Sequence, residues 1–366
     1  MPRHKVITVV GTRPELIKFS PVIPLLAETF DHRLVHSGQH YSYAMDALFF
    51  EELRLPVPDY HLEVGSASHS VQTARILERI EPVLLAEAPS AVLALGDTNT
   101  VLAAMLAATK LHIPAVHLEA GCRSFNRDMP EEINRVVADH VAAWCFTPGE
   151  RERTHLRSEG IADSHIHVVG STAIDACLRN APLAIDRTLV QQLGVTPGEY
   201  VLLTLHRAEN TIPETLRGIL EAVNVLAETW SFVFPIHPRT RAVLESLEPS
   251  LALHPRVQII DPVGYLDILY LIGHARAVMT DSGGLQEEAA TLGAPLLIAR
   301  RETEWAYLVD GGAAAIVGNT RAAILETAPS LLEQGKSAFR PIDVTPQRGA
   351  AQRIVATLAR ILDAGF

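Results

Sequence analysis

Val6-Ile7-Thr8-Val9-Val10-Gly11-Thr12-Arg13-Pro14-Glu15 reads as a short strand that ends in a glycine turn and opens a helix. Gly11 permits the tight turn, and Pro14 suits the first turn of a helix. The apolar run is too short for the core of a signal peptide, although Arg3, His4 and Lys5 precede it. A helical pattern over Leu16–Glu28 follows, then a second strand at Arg33–His36. This is the β-α-β unit of a parallel sheet.

The same rhythm runs outward along the chain. Ala91–Leu95, Ala115–Leu118, Ala142–Phe146 and His165–Val169 read as further strands, with helical patterns over Thr100–Thr109 and Glu131–His140. Strands this short and apolar belong in a sheet covered on both faces. The rhythm pauses at Cys177–Pro197 and restarts with strands at Tyr200–Leu205, Ser231–Ile236, Val257–Ile260, Ala277–Thr280, Pro295–Ala299 and Ala313–Val317. With 366 residues the chain suits two domains. The expected fold is α/β, with two Rossmann-like doubly wound domains at 1–180 and 181–349 facing a cleft. The stretch Ala350–Leu362 reads as a helix that packs back on one of them, with the first domain as the expected host of 350–366.

Composition narrows the function. Hydrophobic residues make up 48% and charged residues 20%, the profile of a soluble globular chain. The 31 Lys and Arg against 42 Asp and Glu give −11, a surface that repels nucleic acid and anionic lipid. An anionic ligand therefore needs cations gathered locally. Cys122, Cys145 and Cys177 lack CxxC spacing, which points to a reduced, cytoplasmic compartment without a disulfide frame or zinc site. His36 and His40 are four apart, but Gly38 intervenes and no acid cluster is near, so no metal is expected. No stretch has the ~18 consecutive apolar residues of a membrane span.

In doubly wound sheets, ligands lie beyond the carboxyl ends of the strands. After the first strand, Arg13 and Lys18 flank a helix N-terminus, either as an anion site or as solvated charges. After Ala277–Thr280 come Asp281-Ser282-Gly283-Gly284 and a helix beginning near Leu285. Ser282, Gly283 and Gly284 can offer bare backbone N–H groups to a phosphate. Glu287 and Glu288, in the expected first turn, either complement the helix dipole or accept ribose hydroxyls.

The acidic candidates end strands of the first domain. Asp97 follows Ala91–Leu95, either as the N-cap before Thr100 or as a working carboxylate. Glu119 ends Ala115–Leu118, where a carboxylate needs a partner. Glu131 opens a helix after Pro130, with Arg135 its i+4 neighbour. Three carboxylates aimed at one cleft would raise one another's proton affinity, which tunes a general acid or base. His206, after Tyr200–Leu205, is a candidate acid for a leaving phosphate; His237 stands in a similar place.

Taken in order, several motifs resemble those of non-hydrolysing UDP-N-acetylglucosamine 2-epimerases. They are Gly11-Thr12-Arg13-Pro14-Glu15, Gly38-Gln39-His40, Gly96-Asp97-Thr98, His117-Leu118-Glu119-Ala120-Gly121-Cys122-Arg123, Pro130-Glu131-Glu132-Ile133-Asn134-Arg135, His206-Arg207-Ala208-Glu209-Asn210 and Thr280-Asp281-Ser282-Gly283-Gly284-Leu285-Gln286-Glu287-Glu288. The resemblance implies a glycosyltransferase-B-like fold, a homodimer, a UDP-sugar substrate, and C2 epimerisation through a glycal without nicotinamide or metal. It implies Asp97, Glu119 and Glu131 as acid/base groups and His206 as the aid to phosphate departure. Arg13, Lys18, Arg135, Arg207, Ser282, Gly283, Gly284 and Glu288 are implied as substrate contacts.

Two departures qualify it. Thr303-Glu304-Trp305-Ala306-Tyr307 carries Trp305 where many bacterial members have arginine, and Arg123-Ser124-Phe125-Asn126-Arg127 accompanies it. Both are similar to the branch with UDP-2,3-diacetamido-glucuronic acid epimerases, in which Arg127 either meets a sugar carboxylate or is a solvated loop residue. Gln39, Gln72, Arg207 and His237 match the regulatory UDP-sugar site of some members, whereas Ser42 and Val71 replace an expected glutamine and arginine. A hydrolysing epimerase, a glycosyltransferase on the same fold and a silent nucleotide-sugar sensor stand as alternatives.

Overall fold

The computed structural model describes residues 3–39, 49–184 and 188–365; His40 and Ser42 lie outside them. The chain divides into two compact units, Met1–Ala176 with Thr345–Phe366, and Cys177–Val344.

The first unit is built on β1 (Lys5–Val10), β2 (Asp31–His36), β3 (Tyr60–His61), β4 (Ala91–Leu95), β5 (Ala115–Leu118), β6 (Trp144–Thr147) and β7 (Ile166–Val168). They form one parallel sheet in the order β3-β2-β1-β4-β5-β6-β7. Every residue of β4 and all but the first of β1 are buried, as helices on both faces require. The helical pattern expected over Leu16–Glu28 is two helices, Arg13–Phe19 and Val22–Thr29. Pro21 has no N–H to continue the first and serves as N-cap of the second.

The second unit holds β8 (Tyr200–Thr204), β9 (Ser231–Pro235), β10 (Val257–Ile260), β11 (Ala277–Thr280), β12 (Leu296–Ile298) and β13 (Ala314–Ile316). They are parallel in the order β10-β9-β8-β11-β12-β13. Alternation divides its core: Leu203, Phe234 and Met279 pack on one face, Leu202, Val233 and Val278 on the other.

The helix Ala350–Ala364 joins the first unit against Val22–Thr29. It buries Ile354, Val355 and Leu358, and Asp175 accepts the N–H groups of Gly349 and Ala351 at 2.8 and 2.9 Å. Among the described residues, no helix is long and apolar enough to cross a membrane.

In each sheet the strand order reverses once, between β1 and β4 and between β8 and β11. Gly11 and Gly96-Asp97 follow the first pair; Leu205-His206 and Asp281 follow the second.

Candidate active site

The turn after β1 is fixed by a buried carboxyl. Glu15 accepts the N–H groups of Gly11 and Thr12, the latter at 3.1 Å, and the Thr98 hydroxyl at 2.6 Å. Burial pushes its pKa up to about 7, against the opposing effect of these hydrogen bonds. The residue was not a candidate on sequence, yet Thr12-x-x-Glu15 is the spacing of a capping box. Arg13, beside it, lies over the Phe49 ring, 4.6 Å from its centroid.

After β4, Asp97 Oδ2 accepts from Arg135 Nη2 at 2.6 Å and Nε at 3.0 Å. The helix cap is Thr98, whose side chain accepts from Val101, so Asp97 is free of that duty. Arg135 reaches Glu132 with Nη1 at 2.7 Å, and Asn134 donates to the Asp97 carbonyl at 2.9 Å. Burial works against the Arg135 charge, but Asp97 and Glu132 more than offset it and hold its pKa above the ordinary value. Glu132 also accepts two backbone N–H groups, from Ser124 and Phe125, and is depressed by these bonds and Arg135 despite its burial.

After β5, Glu119 lies 2.7 Å from Lys18 Nζ. Its φ is +62°, a left-handed conformation that costs a residue with a Cβ about 1–2 kcal/mol. Asp97 pairs with Arg135 and Glu119 with Lys18, so each has its own cation. Glu131 is half-buried at the start of its helix, and its side chain makes no hydrogen bond or ion pair among the described residues.

Behind these strand ends runs a buried charge chain that sequence reading missed. Asp139 takes His117 Nδ1 at 2.6 Å, Arg123 Nη2 at 2.6 Å and the Gly121 N–H at 3.1 Å. Arg123 continues to both oxygens of Glu159 at 2.8 and 2.7 Å. His117 Nε2 meets the Gly96 carbonyl at 2.7 Å.

In the second unit, Asp281 is fully buried and collects four donors. The N–H groups of His206 and Arg207 lie at 2.9 and 3.0 Å from Oδ2, Asn210 Nδ2 at 3.1 Å, and His206 Nδ1 lies 3.2 Å from Oδ1. These contacts outweigh burial and keep Asp281 below the usual carboxylate range. With Nδ1 turned to Asp281, His206 presents Nε2 outward; its side chain is 38% exposed. The His237 ring stands 5.7 Å away and its pKa is lowered by burial and by His206.

The turn after β11 differs in detail from expectation. The helix begins at Gly283, not near Leu285, so Glu287 and Glu288 fall beyond its first turn and are buried. Glu287 accepts from the Tyr307 hydroxyl at 3.2 Å. Burial, with Glu288 adding to it, pushes the Tyr265 hydroxyl well above its ordinary range. The Ser282 N–H is not bare: it donates to Thr280 Oγ1 at 2.9 Å. Ser282 caps the helix, and a Cβ on Gly283 would sit 3.3 Å from Arg207 Nη2 and 3.5 Å from Trp305 Nε1. Gly284 has open space around it. Glu304, from the Trp305 segment, holds Arg300 at 2.6 Å, with Arg207 3.7 Å away.

Gln39 and Gln72 are committed to the fold. Gln39 Oε1 accepts from the Thr100 hydroxyl at 2.7 Å, and Gln72 donates to the Gln39 and Gly65 carbonyls at 2.8 and 3.0 Å. Val71 and Arg127 are exposed.

The family model for UDP-N-acetylglucosamine 2-epimerase matches residues 26–359. UDP-N-acetylglucosamine 2-epimerase of Methanocaldococcus jannaschii is 43% identical, over 92% of this chain and 94% of that protein. UDP-2,3-diacetamido-2,3-dideoxy-D-glucuronate 2-epimerase of Pseudomonas aeruginosa is 40% identical, over 98% and 100%. The crystal structure of the M. jannaschii enzyme in complex with UDP-GlcNAc and UDP superposes with a TM-score of 0.88 at 42% identity, covering 97% of this chain and 99% of that one. The two parallel sheets with flanking helices are thus the glycosyltransferase-B-like α/β fold of these enzymes, and the chain belongs to the UDP-N-acetylglucosamine 2-epimerase family.

Proposed function

We propose that this chain inverts C2 of a UDP-2-acetamido sugar by eliminating UDP and adding it back. A carboxylate takes the C2 proton, the C–H electron pair becomes the C1=C2 bond, and the C1–O bond breaks with its pair going to the phosphate oxygen. Delivery of a proton to the opposite face of C2 and return of the phosphate oxygen to C1 give the epimer. The step needs no external oxidant, reductant, nicotinamide or metal.

The observation that carries this reading is the carboxylate pair at adjacent strand ends, Asp97 on Arg135 and Glu119 on Lys18. In this reading the first unit supplies the acid/base set, Asp97 and Glu119 with Glu131. The second unit supplies the diphosphate contacts through Arg207, Ser282, Gly283 and Gly284. There His206 Nε2, backed by Asp281, gives a proton or hydrogen bond to the departing phosphate. Arg13, Lys18, Arg135 and Glu288 complete the substrate contacts in this reading. The enzyme works as a cytoplasmic homodimer.

Trp305 and the segment Arg123-Ser124-Phe125-Asn126-Arg127 are similar to the branch with UDP-2,3-diacetamido-glucuronic acid epimerases, and that resemblance favours a UDP-2,3-diacetamido-glucuronate over UDP-N-acetylglucosamine as the sugar. The test offers both sugars in deuterium oxide and follows C2 inversion and deuterium uptake by NMR. Inversion with one deuterium at C2 is expected. Release of free sugar with UDP favours the hydrolysing alternative, and absence of exchange with either sugar sinks the reading.

A further inference from the structure

Three segments that carry the proposed acid/base groups meet at one buried side chain. His117 is on β5, two residues before Glu119. Its Nε2 faces the Gly96 carbonyl next to Asp97, and its Nδ1 faces Asp139 on the helix that also carries Glu131 and Arg135. A carbonyl accepts only, so Nε2 carries hydrogen. Asp139 also takes Arg123 and the Gly121 N–H, so it is an acceptor towards Nδ1 as well. We propose that His117 is a doubly protonated, positioning imidazolium that sets the spacing of Asp97 and Glu119 for the C2 proton transfer.

The pairing around Asp139 supports this. Arg123 is shared between Asp139 and the partly exposed Glu159, whereas Asp139 and His117 have no exposed side-chain surface and face each other at 2.6 Å. Burial and the Arg123 charge lower the His117 proton affinity, but Asp139 and the Gly96 carbonyl outweigh them and raise it. Cys145 also meets this cluster, its thiol 3.5 Å from the Asp139 carbonyl, and burial with Asp139 keeps it protonated. Asp139 grips Gly121 as His117 grips Gly96, so the left-handed Glu119 is held from both sides. A Cβ at Gly121 would lie 2.4 Å from the Glu152 carbonyl oxygen, which leaves that turn no room to relax.

The inference rests on the proposed epimerisation, but its first test does not. In protein carrying 15N-histidine, His117 is expected to keep both ring nitrogens protonated at a pH well above the ordinary histidine range. Asp139→Asn should convert it to a neutral ring with one N–H, which also assigns the signal. A neutral His117 in the wild-type protein overturns the proposal whatever the enzyme does. The second test compares turnover. Asp139→Asn and His117→Asn should lower kcat by between about tenfold and a hundredfold, as a displacement of about 1 Å does, with KM within about threefold. Measured well below its melting transition, a folded variant that keeps wild-type kcat would reduce the pair to a structural role and overturn the proposal. If the wild-type protein shows no C2 exchange, the epimerase reading has failed while the ionisation result stands on its own.

Discussion

Lys18 and Glu119 form a 2.7 Å ion pair that joins the first helix of the chain to the end of β5, 101 residues away. The Glu119 side chain is 11% exposed and that of Lys18 19%, so water screens the pair weakly. Lys18→Met should leave a largely buried carboxylate without its cation and cost about 1–3 kcal/mol of unfolding free energy. Urea denaturation checks this, with Lys18→Arg expected to recover most of the loss.

The carboxylates themselves are tested by isosteric amides. Asp97→Asn, Glu119→Gln and Glu131→Gln are each expected to cut turnover by at least about a hundredfold, the ordinary weight of general acid/base catalysis. UDP binding by calorimetry should survive in all three. Near-normal turnover in any one of them moves the role to a neighbouring residue.

Asp281 predicts an acid limit for the second unit. Its folded pKa is depressed, so its stabilisation is present above the ordinary carboxylate value of 3.8 and lost as pH falls through the lower folded value. Asp281→Asn should flatten the fall in stability with acidity and lower turnover, because His206 loses the partner that orients it. Denaturation at several acidic pH values, with kcat at neutral pH, reads both effects.

Glu15 has the opposite sign. Its carboxyl rises from 4.5 to about 7 on folding, so the folded state binds more protons than the unfolded one between those values. Stability contributed by this group therefore declines as pH rises through that window, by roughly 3 kcal/mol at about 1.4 kcal/mol per unit. Glu15→Gln resembles the protonated form: its oxygen can accept from Gly11 and Thr12 while its amide donates to Thr98. The variant should lose this pH dependence in thermal melts and be no less stable than wild type at pH 7.

Much of this was legible in the sequence because the relevant signals are local. Short apolar runs at β4, β5, β10 and β11 marked strands whose bounds the structure reproduces, since both faces of a parallel sheet select for apolar residues. β3 left no signal, being two residues long. The break at Pro21 was readable from the missing N–H but was masked by the apolar periodicity on either side. Asp139 was illegible for a different reason: its partners His117 and Arg123 lie 22 and 16 residues away, so no spacing rule connects them. The Asp97–Arg135 pair spans 38 residues and was equally hidden, although each residue was singled out alone.

Regulation is expected to be absent. Val71 stands where a guanidinium is expected and is 44% exposed, while the Gln39 side-chain oxygen already accepts from Thr100 and the Gln72 amide already donates to the Gln39 and Gly65 main-chain carbonyls. Loss of one charge-assisted hydrogen bond removes roughly 1.5–3 kcal/mol, or one to two decades of affinity for a second UDP-sugar. Initial rates should rise hyperbolically with substrate, and reverse epimerisation should run without added UDP-N-acetylglucosamine. Sigmoidal curves, or a reverse reaction that waits for that effector, would sink the idea.

The return of helix Ala350–Ala364 to the first unit has a consequence for biosynthesis. On the ribosome, all seven strands of the first sheet emerge before Ala350–Ala364, the helix that packs against Val22–Thr29, exists. The contiguous unit Cys177–Val344 can close in the meantime. The unit begun first is therefore finished last, and until Ile354, Val355 and Leu358 arrive it keeps an apolar helix bare, a natural target for a chaperone.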